Sequence, residues 1–423
     1  MANMKPFEQW ESEIRGYCRL YSTVFKSASN ARQIDEDGKS YIDFFAGAGV
    51  LNFGHNNQKM KRAMIDFLES DGLAHSLDTY TTTKRDFIES FAKTILEPRG
   101  MHYKMQFMGP TGTNAVEAAL KLARKVTGRQ SVISFMHGFH GMTLGSLAAT
   151  SNSYFRQAAG VPLDYIQRLP FEDAPGGGVD HIRELRCAMA DSSSGYDLPA
   201  AILVEPIQAE GGVHVASEAW LKELQQLAKE TGALLILDDI QAGCGRTGSY
   251  FSFDDMGLDP DIITLAKGLG GFGTPIAMNL NKPEHDKHWK PGEHTGTFRG
   301  QGLSFVAGRV AMDYFKDDSF MAEVRKKGDM MREHLEHAIK EHGHPGMQVR
   351  GKGMMIGVDI CDGPLSKKIS KECFEAGLLL GSVGTDGRVV KMIPPLTIPE
   401  KDLEEGLNIF TKVLANQKEM ARA

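Results

Sequence analysis

One lysine and two carboxylates each follow a short apolar run in the middle of the sequence. Glu205 comes directly after AAILV, Asp238 directly after LLIL, and Lys267 two positions after IITL. Such runs are typical of strands buried on both faces of a parallel sheet, and ligands bind at the carboxyl ends of these strands. We therefore expect an amine and two acids to meet at one edge of a sheet, where the amine could act as a nucleophile.

Lys267 and Asp238 are the two candidates with the most specific chemistry. Lys267 precedes a glycine-rich stretch at 268–273, where the backbone can approach a bulky ligand, although a lysine before a flexible surface loop gives the same pattern. Asp238 follows four apolar residues, so it is expected to be partly buried and to need a partner. The pyridine nitrogen of pyridoxal phosphate (PLP) would serve, and so would the start of a nearby helix. Asp239 would point to the opposite side and is interpreted as structural.

Two further glycine-containing segments are suited to holding a flat ligand that carries a phosphate. GPTGT at 109–113 precedes a helical pattern in which Asn114 and Glu117 have capping-box spacing. A helix start presents N–H donors to an anion, and because the Walker lysine is missing, ATP is not implied. The segment HGFHG places Phe139 and His140 between glycines, which suits an aromatic ring stacking on a cofactor or a core phenylalanine in a turn.

The segments around these residues alternate between strand-like and helix-like patterns. SVISF at 131–135 supplies a fourth apolar run, and helical patterns lie between the runs. At 220–230 leucines recur every third residue, and Gly232 follows as a helix stop. This alternation predicts an α/β fold with a doubly wound, mostly parallel sheet. We assign this large domain to residues 60–319.

The two ends of the sequence predict a second, smaller α+β domain. The segment QIDEDGKSYIDFF predicts a hairpin with Asp37-Gly38 as its turn. The C-terminal part combines a long polar helix with two strand-like pieces, at 321–342, 353–360 and 389–392. We assign residues 1–59 and 320–423 to this domain.

Composition excludes several classes of protein. With 41% hydrophobic and 24% charged residues, the 423-residue chain is neither a disordered chain nor a coiled coil. The net charge of −6 offers no basic excess for a nucleic-acid partner. The sequence contains no run of about 18 apolar residues, so no membrane span is predicted. Five scattered cysteines indicate reduced thiols and a cytoplasmic location. The histidine-rich stretch 334–344 favours a polar helix face over a metal site.

Six segments occur in an order that resembles a known family. They are GPTGTNAVEAALKLAR, GFHGMTLGSLAAT, EPIQAEGG, LLILDDIQAGCGRTG, LAKGLGG and HTGTFRGQ. Together they are similar to the class III aminotransferases, PLP-dependent enzymes of fold type I, and the resemblance extends from about residue 30 to residue 410. It implies PLP as the cofactor, small-molecule substrates, and a homodimer or higher homo-oligomer with active sites at the subunit interface.

The resemblance assigns roles around the PLP ring. Lys267 would bind the cofactor as a Schiff base and then move the substrate proton, while Asp238 would pair with the ring nitrogen. Gln241 would contact the ring hydroxyl. Phe139 would stack on the ring, with His140 beside it.

The resemblance also implies which residues hold the phosphate. Thr111, Gly112 and Thr113 would bind it mainly through backbone N–H groups. Thr297 would reach the phosphate of the neighbouring subunit, so the smallest working unit implied is a dimer. Glu205 matches an acidic position near the cofactor.

Departures from the family pattern indicate the substrate. Many members have an arginine before the PPLTI-like stretch, where this sequence has Lys391, a point charge without a bidentate fork. We predict that Lys391, Glu210 and Arg299 bind substrate. With Cys244 at a position that is commonly aromatic, the sequence is similar to the subgroup that transfers an amino group from L-glutamate to L-aspartate 4-semialdehyde. This reaction gives L-2,4-diaminobutyrate and 2-oxoglutarate, the first committed step towards ectoine.

Other interpretations of the same scaffold stay open. The enzyme could be an ornithine, 4-aminobutyrate or siderophore-pathway diaminobutyrate aminotransferase. It could also be a PLP lyase or an aminomutase, neither of which consumes a keto acid.

Overall fold

Strands and helices alternate along residues 3–420, the part of the chain that the computed structural model describes. The strands are β1 Phe25–Ser29, β2 Arg32–Asp35, β3 Ser40–Asp43, β4 Lys104–Phe107, β5 Val132–Phe135, β6 Ile166–Leu169, β7 Ala201–Val204, β8 Ile207–Gln208, β9 His214–Val215, β10 Leu234–Asp238, β11 Ile262–Leu265, β12 Met278–Asn281, β13 Gln348–Lys352, β14 Met355–Asp359, β15 Leu378–Leu379, β16 Gly381–Val383 and β17 Val389–Met392. The helices are α1 Lys5–Trp10, α2 Ala46–Gly49, α3 Gln58–Glu69, α4 Thr82–Phe91, α5 Gly112–Thr127, α6 Leu144–Ala149, α7 Ser153–Gln157, α8 Val179–Ala190, α9 Glu218–Thr231, α10 Pro283–Asp286, α11 Gly302–Ala311, α12 Ser319–His342, α13 Gly363–Glu375 and α14 Glu400–Met420.

A seven-stranded sheet with the order β4-β12-β11-β10-β7-β5-β6 forms the centre of the molecule. The strands from β11 to β6 are parallel, and β12 runs antiparallel to both of its neighbours. The four apolar runs of the sequence are β5, β7, β10 and β11, each within one residue of its predicted bounds. The predicted mostly parallel α/β sheet is therefore confirmed.

Alternate residues of β10 pack against helices on opposite faces of this sheet. Leu235 and Leu237 belong to the hydrophobic core that contains the leucines of α9, which Gly232 terminates in a left-handed conformation. Leu234 and Ile236 belong to the core that contains the apolar face of α5. Since side chains alternate along a strand, Asp238 continues the second series and lies on the α5 side of the sheet.

The two ends of the chain share a separate hydrophobic core. It combines buried residues between 31 and 44 with buried residues between 321 and 414. The predicted hairpin is confirmed as β2 and β3, joined by a turn in which Gly38 has a φ of +84°. β15 pairs with β3 in parallel, so one sheet contains strands from both ends. The division at residues 59/60 and 319/320 stays a prediction.

The predicted capping box at the start of α5 is wrong. The helix begins at Gly112, and its N-cap is Thr111, whose hydroxyl accepts from the Asn114 backbone at 3.4 Å. Glu117 instead accepts from the backbone N–H groups of Gly145 and Ser146, at 2.9 and 3.0 Å. The helix starts two residues before Asn114, so this residue lies in the first turn and cannot act as the cap.

The structure also bears on membrane spans, cysteines and metal ligands. Within residues 3–420 no helix is both long and apolar enough to span a bilayer. All five cysteines are free thiols. The same part of the chain has no group of three His, Cys, Asp or Glu residues placed to hold a metal ion. In the histidine-rich helix, the His334 ring instead bonds to the Thr411 hydroxyl at 2.9 Å.

Candidate active site

A cavity of about 360 Å³ lies at the carboxyl ends of β7, β10 and β11. It is lined by Val50, Pro110, Thr111, Gly112, Thr113, Phe139, His140, Gly141, Glu205, Glu210, Asp238, Ile240, Gln241, Ala266, Lys267, Gly273, Thr274, Pro275 and Ile276. The structure thus brings Glu205, Asp238 and Lys267 to one site, as the strand ends predict.

Asp238 is held by three hydrogen bonds at the end of β10. One carboxylate oxygen lies 2.7 Å from Nδ1 of His140, and the other accepts from the Thr264 hydroxyl at 3.1 Å and from the Ile240 backbone at 3.2 Å. Both Asp238 and His140 are buried. Burial alone would lower the pKa of His140, but the hydrogen bond to Asp238 and the charge of this carboxylate outweigh it and raise the pKa. Asp238 therefore faces the cavity with its carboxyl group held in place and with a protonatable neighbour.

Glu205 fixes the loop that carries Phe139. Its carboxylate accepts from the Phe139 backbone at 2.8 Å and from the Ala209 backbone at 3.3 Å. Burial raises the pKa of Glu205 to about 7, the nearby Asp238 charge adds to this, and His140 opposes it. Through its bond to the Phe139 backbone, Glu205 positions this aromatic side chain in the wall of the cavity.

Lys267 begins the tight turn that follows β11. Its backbone φ is +49°, a left-handed conformation that is uncommon for a residue with a side chain and that costs conformational energy. Among residues 3–420 its amine has no hydrogen-bond or ion-pair partner. Burial lowers the pKa of Lys267 to about 8, with the Glu210 charge opposing and the Lys391 charge adding to this effect. The amine is therefore both accessible to a ligand and easily deprotonated.

Lys391, Glu210 and Gln241 form a second polar cluster beside the cavity. The Lys391 amine, on β17, donates to Glu210 and to the Gln241 side-chain oxygen at 2.8 Å, and the Gln241 amide donates to Glu210 at 3.0 Å. Lys391 is fully buried, whereas the Glu210 side chain is 26% exposed. Burial would raise the pKa of Glu210, but the charges of Lys391 and Lys267 and the two hydrogen bonds lower it to about 2.

We expect the Glu210–Lys391 pair to contribute to stability as well as to the site. Glu210→Gln leaves the buried Lys391 ammonium without its anion, so the free energy of unfolding should fall by about 1–3 kcal/mol. Urea denaturation measures this change. Glu210→Gln combined with Lys391→Met removes both charges and should recover most of the loss. If the double variant were less stable than Glu210→Gln, the pair would not explain the effect.

Two predicted site residues lie outside this cavity in their own chain. The Thr297 carbonyl accepts from the His75 ring at 2.7 Å, and Arg299 pairs with Asp78. Neither lines the cavity. Lys391 does not line it directly either, but contacts two residues that do. The roles of all three stay predictions.

Comparison with known proteins identifies the family. The model of aminotransferase class-III matches residues 16–414, most of the chain. The chain belongs to the class III aminotransferases. Among the relatives of this aminotransferase are proteins named diaminobutyrate–2-oxoglutarate transaminase. The protein from Halalkalibacterium halodurans is 46% identical, over 99% of this chain and 98% of its own length. The protein from Nocardia farcinica is 48% identical, over 97% of this chain and 94% of its own length.

Solved structures of aminotransferases have the same fold. The ornithine aminotransferase of Toxoplasma gondii superposes with a TM-score of 0.86 and 26% identity, covering 99% of this chain and 95% of its own, and is described with partial occupancy of PLP at its active site. An aminotransferase of Bacillus anthracis, at 24% identity, has a TM-score of 0.86 over 98% of both chains. The aminotransferase is thus a fold type I enzyme, and its family uses PLP.

The residues of the cavity fit PLP. An amine without a protein partner, the Asp238 carboxylate and the start of α5 match the aldehyde, the ring nitrogen and the phosphate of this cofactor. Gly112 and Thr113 occupy the first helical positions, where the helix offers their N–H groups no acceptor. A Cβ at Gly112 would lie 3.0 Å from Ile240, so glycine leaves space at the start of α5.

If Lys267 binds PLP as the sequence predicts, its lowered pKa determines how the rate of attachment depends on pH. Only the deprotonated amine can attack the aldehyde, and its fraction rises with pH until the pKa of about 8 is passed. The rate of attachment to the cofactor-free protein should therefore rise about tenfold per pH unit below 8 and level off above it. Stopped-flow absorbance between pH 6 and 10 measures this. A rate that kept rising to pH 10 would contradict it.

Several lining residues of the aminotransferase were not predicted from the sequence. Ile240 follows Asp238 by two positions, so strand alternation could have placed it on the same side. The glycine-rich stretch after Lys267 predicted a ligand near this segment. It did not indicate which of the following residues, Thr274, Pro275 and Ile276, would line the cavity. Nothing in the sequence pattern pointed to Val50, which enters from the N-terminal part of the chain.

Proposed function

We propose that this aminotransferase moves the amino group of L-glutamate to the aldehyde carbon of L-aspartate 4-semialdehyde. The products are L-2,4-diaminobutyrate and 2-oxoglutarate. The observation that carries the proposal is the identity of 46–48%, over nearly the whole chain, to proteins named for diaminobutyrate and 2-oxoglutarate, the two products of this direction of the reaction. The cavity supports it, because its residues fit the cofactor that the chemistry requires.

Each side chain has a distinct task in this proposal. PLP, when bound, supplies an electron-withdrawing ring that stabilises negative charge on the reacting carbon. Lys267 would hold the cofactor, and its amine would then take the proton from that carbon and return it. Asp238 would keep the ring nitrogen protonated, and His140 would hold Asp238 in place. Phe139 and Ile240 would form the walls on either side of the ring.

The phosphate and ring hydroxyl of PLP would be held by the remaining lining residues. We propose that Thr111, Gly112 and Thr113 hold the phosphate at the start of α5, and that Gln241 contacts the ring hydroxyl. The Thr113 hydroxyl lies 2.6 Å from the Thr143 hydroxyl, which donates to Glu117. These bonds support a fixed orientation of Thr113.

The substrate carboxylates require cations near the cavity. Lys391 is a fully buried lysine beside two lining residues, and we propose that it binds a substrate carboxylate. We propose that its partner Glu210, whose pKa of about 2 makes it an anion, contacts the substrate through the substrate's amino group. Arg299 does not line the cavity of its own chain and pairs with Asp78, so its proposed substrate contact would be made in a second subunit.

A homodimer, or a higher homo-oligomer, completes the proposal. Thr297 lies outside the cavity of its own chain, and the adjacent Phe298 is 58% exposed. Tyr80, which lines a separate cleft together with Arg299, is also exposed. Exposed aromatic side chains beside residues assigned to a neighbouring active site support contact with a second copy of the chain.

The test is a product assay with purified enzyme and PLP. Glutamate and aspartate semialdehyde should give diaminobutyrate and 2-oxoglutarate in equal amounts, and ornithine and 4-aminobutyrate should be slower donors to 2-oxoglutarate than diaminobutyrate is. A PLP lyase or aminomutase would form no 2-oxoglutarate from glutamate. Faster turnover of ornithine would overturn the substrate assignment and keep the family.

Two further expectations depend on sequence alone. That the product feeds ectoine synthesis rests on the resemblance to one subgroup of the family. A cytoplasmic location rests on the scattered cysteines.

A further inference from the structure

Arg246 is a fully buried arginine that lies outside the cavity. Its guanidinium donates to the Pro394 carbonyl and, at 3.3 Å, to the Met354 carbonyl. It also donates to the side-chain oxygen of Asn52 at 2.6 Å. One side chain thus connects its own loop to segments that lie 108, 148 and 194 positions away in the sequence.

The charge of this guanidinium is not neutralised by an ion pair. In the described part of the chain no acid lies within ion-pairing distance of Arg246, and its Nε is buried without a hydrogen-bond partner. Burial lowers the pKa of Arg246 to about 9, with the more distant Asp43 charge opposing this, so the side chain is charged at neutral pH. Burying such a charge is costly, and a well-packed apolar side chain would avoid the cost. The reason for an arginine here therefore lies in the segments that its donors connect.

At one end of this network, Arg246 holds the segment that carries Lys391. Pro394, whose carbonyl accepts from Arg246, follows Lys391 by three positions. The Lys391 amine donates to the Gln241 side chain, and Gln241 precedes Arg246 by five positions. The bond to the Pro394 carbonyl therefore supports the contact between Lys391 and Gln241 from outside the cavity.

At the other end, Asn52 packs against the turn that carries Lys267. A Cβ added at Gly268 would lie 2.5 Å from the Asn52 amide nitrogen, so only glycine leaves room for this amide directly after Lys267. Through its bond to Asn52, Arg246 links the Lys267 turn to the segment of Lys391.

A substrate of this enzyme is held at two points. Its reacting carbon lies at Lys267, and the function proposed above places a substrate carboxylate at Lys391. Because covalent bonds set the distance between these two parts of the substrate, the two lysines must keep a matching separation. Misplacing a substrate by about 1 Å can lower a rate about 100-fold.

We propose that Arg246 is a positioning residue that fixes Lys391 relative to Lys267 and so determines how well the substrate carboxylate is bound. The effect on substrates rests on the function proposed for Lys391, whereas the positioning rests on the hydrogen bonds of Arg246. Arg246 itself lines no part of the cavity and acts through Lys391.

The test is a double-mutant cycle that measures kcat/KM for glutamate with PLP bound. Arg246→Met replaces the guanidinium by an unbranched side chain without donors, and kcat/KM should fall about 10- to 100-fold, as for the loss of a hydrogen bond to a charged group. In the Lys391→Met background the same substitution should lower kcat/KM less than about twofold, because the residue through which Arg246 acts is gone. A side chain that only stabilises the fold would cause the same loss in both backgrounds.

Arg129→Met is the matched control. Arg129 also donates to two backbone carbonyls, those of Pro199 and Thr231 at 3.0 and 2.7 Å, but these precede β7 and β10, at the opposite strand ends from the cavity. Its replacement should leave kcat/KM nearly unchanged.

A second measurement does not depend on the substrate. In a crystal structure of Arg246→Met, the distance between the Lys391 amine and the Gln241 side-chain oxygen, 2.8 Å in the unmodified chain, should lengthen beyond hydrogen-bonding range. Retention of this bond, equal losses in the two backgrounds, or an equal loss in Arg129→Met would overturn the proposal. If Lys391→Met left kcat/KM unchanged, the function proposed for Lys391 would fail, and the distance would still decide on Arg246. If Arg246→Met does not fold, Arg246→Lys, which keeps the charge and loses the fork, is measured in the same way.

Discussion

Lys267→Ala is expected to abolish amino transfer and the covalent attachment of PLP together. The amine of Lys267 is the one cavity nucleophile in the described chain that has no protein partner, and burial lowers its pKa to about 8. Because the same atom would hold the cofactor and move the substrate proton, activity should fall by at least about 10³-fold. Borohydride treatment followed by intact mass measurement should show the added cofactor mass in the unmodified chain and no added mass in Lys267→Ala.

Lys391→Met is the matched control for this experiment. Lys391 is also a buried lysine at the site, but its amine donates to Glu210 and Gln241. Its replacement should change the Michaelis constants for substrates and leave the added mass intact. If Lys267→Ala kept the added mass and Lys391→Met lost it, the two lysines would have to exchange roles.

The sheet edge that carries Glu205, Asp238 and Lys267 could be predicted because two independent rules agree there. Apolar runs mark strands buried on both faces, and parallel strands end at the same edge. Strand alternation then distinguishes Asp238 from Asp239. The carboxylate of Asp239 accepts from the Ser252 backbone at 3.1 Å, away from the residues that line the cavity.

Long-range pairings could not be predicted from the same patterns. Lys391 and Glu210 are 181 positions apart, and they meet only because β17 of the terminal sheet packs beside the cavity. No periodicity encodes that contact.

Local rules also failed where tertiary contacts competed with them. Glu117 has the spacing of a capping residue, but its carboxylate accepts from Thr143, Gly145 and Ser146 at the start of α6. Glu117 thus gains three donors from a second helix, which a capping position within α5 would not provide. The capping-box spacing therefore predicted the wrong hydrogen-bond partners for this residue.

Asp238→Asn is expected to lower kcat by about 10²- to 10³-fold while leaving the fold intact. Asparagine carries no charge, so the ring nitrogen of PLP would lose the anion that pairs with it, and removing one preorganised electrostatic partner typically costs about 10²- to 10³-fold in kcat. Asparagine can still accept from Thr264 and from the Ile240 backbone, so the side chain keeps its place. The pKa of His140 should fall as well, since burial would no longer be opposed by the Asp238 charge. Steady-state kinetics from pH 6 to 9 and thermal melting measure these effects.

Asp239→Asn is the control that separates the role of the Asp238 carboxylate from the effect of burial. Asp239 is the next residue and is as fully buried, and burial raises its pKa to about 7, so much of it is already neutral near that pH. Asparagine is therefore a close substitute, and kcat should change less than about threefold. Because the two residues differ mainly in the side of β10 that they face, the contrast tests orientation toward the cavity. A large loss in Asp239→Asn with little loss in Asp238→Asn would show that the anion reaches the cofactor from the other face of the strand.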